Sequence, residues 1–241
     1  MRAAGKLLDG PNSCALVLLL CALGSVVADD VKPAYPAMAP IAQYRMAAVS
    51  DEIALARSAA PSSVSGDAGI MTLGDRGYET ALEGTNGFVC LVERSWAQRF
   101  DDAEFWNPKL RIPICFNRAA AQTVRPVYLA RTRWVMAGLS KSAMIERSRE
   151  DLAAERTRPP PPGAMSFMMS KQGYMGDLSG HWHPHLLFFL VHSAGADWGA
   201  DLRGSPVHAA GGDQTPFTTL FVLVPAWSDG SPAGDRAGAI L

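Results

Sequence analysis

The chain has 241 residues, with 22 Lys and Arg against 23 Asp and Glu, five His, four Cys and 48% hydrophobic residues. That apolar share over that length is enough to bury a core, which excludes wholesale disorder and any need for a metal-stapled miniprotein. A formal charge of -1 excludes the broad excess of Lys and Arg that neutralises phosphates, so nucleic acid is not an expected partner.

The first segment reads as a secretory leader. Arg2 and Lys6 form a basic head, residues 15–23 an unbroken apolar middle, and Val26-Val27-Ala28 the small-residue cleavage site before Asp29-Asp30. A signal peptide over residues 1–28 and a secreted or periplasmic destination follow, although Asp9 interrupts the basic head. A retained anchor is the rival reading, but residues 15–28 fall short of the ~20 that cross a bilayer as a helix. Cys21 follows Leu18-Leu19-Leu20, unlike a lipobox, and no later run resembles a span. No integral membrane span is therefore expected once the leader is gone.

Residues 29–40, with Pro33, Pro36 and Pro40, show no period and predict an extended N-terminal arm. Met46, Val49, Ile53 and Ala56 recur at helical spacing, and Pro61-Ser62-Ser63 ends that helix. Its stripe suits a core better than a membrane surface, which would favour more Lys and Arg. From residue 70 to 94, strand-like runs alternate with Gly-containing turns. Asn86-Gly87 between residues 78–83 and 88–94 is a hairpin signal, so an antiparallel meander is expected. Glu79 and Glu83 lie ~13 Å apart along such a strand and read as a solvated face rather than a catalytic pair.

Leader removal would take Cys14 and Cys21, leaving Cys90 and Cys115 in two strand-like stretches. In an oxidising compartment they can pair, and the alternative is two buried thiols acting as small hydrophobes. Pro113, inside residues 112–116, argues for an edge strand. Asn117 caps a helix running to about Arg125, Pro126 starts another that stops at Gly138, and Ser140 caps a third reaching Arg156. Pro159-Pro160-Pro161-Pro162-Gly163 reads as a stiff connector back to the sheet, in preference to a ligand for a proline-recognising module. Residues 164–169, 183–191 and 218–224 are strand-like, and Trp227-Ser228-Asp229-Gly230 is a closing turn. The order of elements predicts one α+β domain over residues 41–230, an antiparallel sheet of about six strands with helices packed on it. Residues 231–241 then form a flexible tail.

All five histidines lie between His181 and His208, and three form His181-Trp182-His183-Pro184-His185. On an extended strand His181, His183 and His185 face one way and Trp182 the other. Neighbouring imidazoles ~7 Å apart at Cα can converge on one ion, so a divalent metal such as zinc is a candidate cofactor. The expected ligands are the adjacent pair His183 and His185 plus one from elsewhere, for which Asp177, His192 and His208 are the candidates; His181, in the same row, reaches His185 less easily, and His192 falls on the opposite face unless a bulge intervenes. A zinc-type ion would generate a hydroxide nucleophile, with Asp177 as base. Against this stand the ordinary structural roles of histidine and the absence of any His-Glu-x-x-His or paired Cys-x-x-Cys signature. Ser170-Lys171 meets no nucleophile motif, and Trp96, Trp106, Trp182, Trp198 and Met165, Met168, Met169 are explained by packing. Two functions stand: an exported, non-catalytic binding or structural protein, and a metal-dependent hydrolase built on the His-x-His pair.

Overall fold

Residues 69–71, 89–92 and 112–116 are apolar at successive positions, the pattern of strands covered on both faces. The computed structural model describes residues 34–191, 195–211, 215 and 217–234. The expected leader, Cys14, Cys21, His192, residues 29–33 of the arm and residues 235–241 of the tail lie outside the described residues. Among the described residues the strands are β1 (Gly69–Gly74), β2 (Gly77–Leu82), β3 (Val89–Glu93), β4 (Ile112–Phe116), β5 (Met165–Met168), β6 (His185–Leu190), β7 (Val207–Ala210) and β8 (Thr218–Leu223). They form one sheet ordered β2-β1-β3-β4-β5-β6-β8-β7, with β1 and β3 parallel and every other pair antiparallel. The class is mixed α and β as expected, but the strands number eight rather than about six. β7, with one His and two Ala in four residues, has too little β-branched character to be seen in composition.

Two local expectations fail for reasons of burial. Asn86-Gly87 does not close a hairpin, because β1 lies between β2 and β3. β1 is buried almost throughout while β2 exposes Glu79, Thr80 and Leu82, so β2 takes the edge and β1 the interior. The chain after β2 therefore crosses the start of β1, so close that a Cβ at Gly84 would stand 2.0 Å from the Gly69 nitrogen. Pro113 sits in a central strand. It pairs with Val92 in the same register class as Cys90 with Cys115, whose Cα atoms are 3.9 Å apart, the close spacing of a pair that exchanges no backbone hydrogen bonds. Its nitrogen therefore faces away from β3 towards β5, whose pairing with β4 covers only Cys115 and Phe116. No ladder bond is lost.

The helices are α1 (Val49–Arg57), α2 (Ser62–Ser65), α3 (Arg118–Thr123), α4 (Arg125–Met136) and α5 (Lys141–Ala153). Asn117 and Ser140 cap α3 and α5 through Ala120 N–H and Ala143 N–H, and Pro126 lies in the first turn of α4, where a missing N–H costs nothing. α1 covers one face of the sheet, packing Leu55 and Ala56 with Ile70, Cys90, Val92 and Cys115. α3 and α4 cover the other, over Leu91, Ile112, Ile114, Phe116 and Phe189. A third cluster gathers Tyr44, Leu73, Trp96, Phe105, Trp106, Val135 and Met144, and Tyr35 and Met38 of the arm pack against it. Cys90 and Cys115 form a disulfide between β3 and β4. The four prolines connect α5 to β5. No helix among the described residues is long and apolar enough to cross a membrane.

At the β7 edge, Asp201 takes the left-handed region at φ 59°, a conformation Asp tolerates better than most residues. Its N–H donates to the Val207 carbonyl at 2.9 Å, and its carboxylate accepts from Ala209 N–H at 3.4 Å and meets His208 Nδ1 at 3.0 Å.

Candidate functional site

The histidines do not share a hollow. The ladder between β6 and β8 runs out at Pro184, whose carbonyl accepts from Val224 N–H at 3.0 Å but which has no amide to return, so β6 begins only at His185 and residues 181–184 are not strand. Alternation therefore does not apply to Trp182. Its ring turns to the same side as His185, edge to face at 6.0 Å, inside the core below α3. His185 is buried, with Nδ1 at 2.7 Å from the His183 carbonyl, and its Nε2 and the Trp182 Nε1 have no hydrogen-bond partner among the described residues. Burial pushes the His185 imidazole down to about 4, so it is neutral at physiological pH.

The other expected ligands go elsewhere. His181 is exposed, its Nδ1 2.6 Å from the Gly173 carbonyl and its ring against Tyr174. His183 lines a shallow recess with Leu223, Val224, Pro225 and Pro232. His208, tied to Asp201, is separated from His185 by the whole of β8, roughly 9 to 10 Å across the sheet. Among the described residues no group of three or more His, Cys, Asp and Glu is disposed to hold a metal ion. The donor set that a zinc-type ion requires is thus not assembled by His181, His183, His185 and His208.

Asp177, the expected base, is an anchor for the arm. It accepts from the Tyr35 and Tyr174 hydroxyls and from Lys109 Nζ at 3.1 Å, while its own N–H donates to Glu104 Oε1 at 2.7 Å. The Tyr174 hydroxyl, then Tyr35 and Lys109, hold its carboxyl down at about 2, far from the range that suits a general base at neutral pH.

A concave site lies elsewhere, and the sequence reading missed it. A cleft of about 480 Å3 opens between α4, the segment following Trp96, Ile145 of α5, and the adjoining ends of β7 and β8. Phe100, Val127, Ile145 and Phe217 give it apolar walls, with Tyr128 and Arg131 beside them. Its volume is that of a small-molecule site. Arg131, only 7% exposed, comes from the inward stripe of α4, where Val127, Tyr128, Arg131 and Val135 follow helical spacing. Its Nη1 donates to the carbonyls of Trp96, Ala97 and Gln98 at 3.1, 3.3 and 2.8 Å, and the guanidinium lies 4.2 Å from the centre of the Phe100 ring.

Glu93 ends β3 on the α4 face, following Val89 and Leu91 at strand spacing. It is 6% exposed, and Oε1 has no hydrogen-bond partner among the described residues. Burial raises its carboxyl to about 8, against the opposing pull of the Arg131 charge, so at neutral pH it keeps its proton. The signal for both residues was a charge placed on an otherwise apolar stripe. At the mouth, Arg99 and Asp101 form an exposed bidentate pair at 3.0 and 2.8 Å. The described cleft lining holds no His, Cys, Ser or Lys, and hence no pairing of those residues for nucleophilic catalysis.

Compared with family models, with curated proteins and with solved structures, the chain gives no match.

Proposed function

We propose that the protein is exported and works without catalysis, binding a small molecule in the Arg131 cleft. The observation that carries this reading is the cleft itself, a site of about 480 Å3 with the apolar side chains of Phe100, Val127, Ile145 and Phe217 and one buried cation, Arg131. Export is supported by the leader-like residues 1–28 and by the Cys90–Cys115 disulfide, a bond that persists in oxidising compartments. The metal-hydrolase reading has no comparable support, since its histidines point to separate places.

Two measurements test this. N-terminal sequencing of the protein recovered outside the cytoplasm is expected to start at Asp29. The uncharged fluorescent probe N-phenyl-1-naphthylamine is expected to bind saturably with one site per chain. Val127→Trp, which fills the cleft, is expected to abolish that binding while leaving the unfolding midpoint close to that of the parent. Non-saturable uptake, or uptake indifferent to a folded Val127→Trp, overturns the binding reading.

A further inference from the structure

We propose, resting on the binding reading above, that the ligand is an amphipathic organic anion with a carboxylate head. The Nε and Nη2 edge of Arg131 receives the carboxylate, and the apolar body lies against Phe100, Val127, Ile145 and Phe217.

The argument starts from a buried charge. A guanidinium taken out of water is costly unless its charge and its donors are both answered. Arg131 meets the second requirement only in part. Nη1 is committed to three carbonyls, whereas among the described residues nothing accepts from Nε or Nη2, and neither atom is a sealed, unpartnered donor. No carboxylate forms an ion pair with Arg131 among the described residues. Glu93, whose field reaches Arg131, stays protonated at neutral pH and so leaves that charge uncancelled. Asp101 is engaged by Arg99 in the exposed pair at the mouth.

Geometry then selects the head group. The Nε and Nη2 hydrogens of an arginine are parallel and match the two oxygens of a carboxylate, as Arg99 and Asp101 show in this same chain. Phe100 stacked on the guanidinium at 4.2 Å and the three carbonyls on Nη1 fix that edge in advance, so a ligand need not order it. Phe100, Val127, Ile145 and Phe217 offer an apolar surface beside that edge, which favours an alkyl or aryl body, while Gln98, Thr215 and Thr219 make up part of the polar lining.

The test displaces N-phenyl-1-naphthylamine from the full chain with decanoate and with decanol at pH 7, a pair that differs at the head group. Decanoate is expected to compete at about tenfold lower concentration or better, the scale of one charge-assisted hydrogen-bonded pair. Arg131→Gln is expected to erase the preference, and Arg76→Gln, the loss of an exposed cation outside the cleft, to retain it. Because Nη1 holds the segment after Trp96, a second variant accompanies Arg131→Gln: Arg131→Lys keeps a cation but not the parallel donors, and is expected to weaken the preference. Equal competition by acid and alcohol overturns the anion proposal while leaving the binding reading intact, as does a preference that survives undiminished in folded Arg131→Gln or Arg131→Lys, or that vanishes in Arg76→Gln. A protein that takes up no probe overturns both.

Discussion

The guanidinium of Arg94 and the carboxylate of Glu52 meet at 2.8 Å beneath α1, at 0% and 4% side-chain exposure. Glu52 Oε1 also accepts the Leu73 amide, and Arg94 Nε donates to the Tyr44 carbonyl, so the pair ties α1, β1, β3 and the turn at Tyr44 together. Removing one partner leaves the other charge buried and unanswered. Glu52→Ala is expected to cost about 3 to 5 kcal/mol in urea denaturation, well above the ~0.5 kcal/mol of an exposed pair such as Arg147 with Glu150. A loss below 1 kcal/mol would show that water reaches this pair.

The disulfide joins residues 25 apart in sequence. Replacing Cys90 and Cys115 together by Ala is expected to lower stability by about 3 kcal/mol, because the unfolded chain regains the closed loop's freedom. Thiol titration of the exported protein, denatured without reductant, is expected to find neither cysteine reactive.

Two buried groups set opposite limits on stability against pH. The folded value for His185, about 4, lies below the ordinary 6.5. The neutral ring's contribution is therefore complete above pH 6.5 and is lost as pH falls towards 4, on the order of 3 kcal/mol. Glu93, at about 8, lies above its ordinary 4.5, so its contribution is complete below pH 4.5 and lost as pH rises towards 8, on the order of 5 kcal/mol. Glu93→Gln is expected to gain on the parent steadily from pH 5 to pH 8, and His185→Phe to flatten the acid limb. Denaturation midpoints from pH 4 to pH 8 check both slopes, and a Glu93→Gln difference independent of pH would show that the carboxyl keeps its ordinary value.

Gly84 lies where the chain crosses β1, and the atom a side chain would strike is backbone, which cannot swing aside. Gly84→Ala is expected to lower the thermal midpoint, at a cost of about 2 kcal/mol or more. A neutral outcome would place the crossing farther from Gly69.

What could be read in the sequence was what local chemistry decides. Asn117 and Ser140 cap their helices because a side-chain oxygen three residues ahead of an amide needs no distant partner. The pairing of Cys90 with Cys115 was likewise within reach, as two apolar runs in an oxidising compartment. Strand order was not, since Asn86-Gly87 has hairpin chemistry and yet the burial of Ile70 and Leu73 forces β1 between its neighbours. Alternation misled at His181, His183 and His185 because it presumes a ladder that stops at Pro184, which has no amide to donate. Arg131 and Glu93 stayed hidden because a lone charge on an apolar stripe resembles an ordinary interruption until the fold sets the two near one another.

Asp201 bends back upon β7 and occupies the Val207 carbonyl and the Ala209 amide, groups that would otherwise look outward. A bare strand margin is a template on which a neighbouring molecule can add its own strand. Here one aspartate in an unusual backbone pose closes that margin with the chain's own atoms, so on this side crowding alone does not turn a solitary molecule into a growing ribbon.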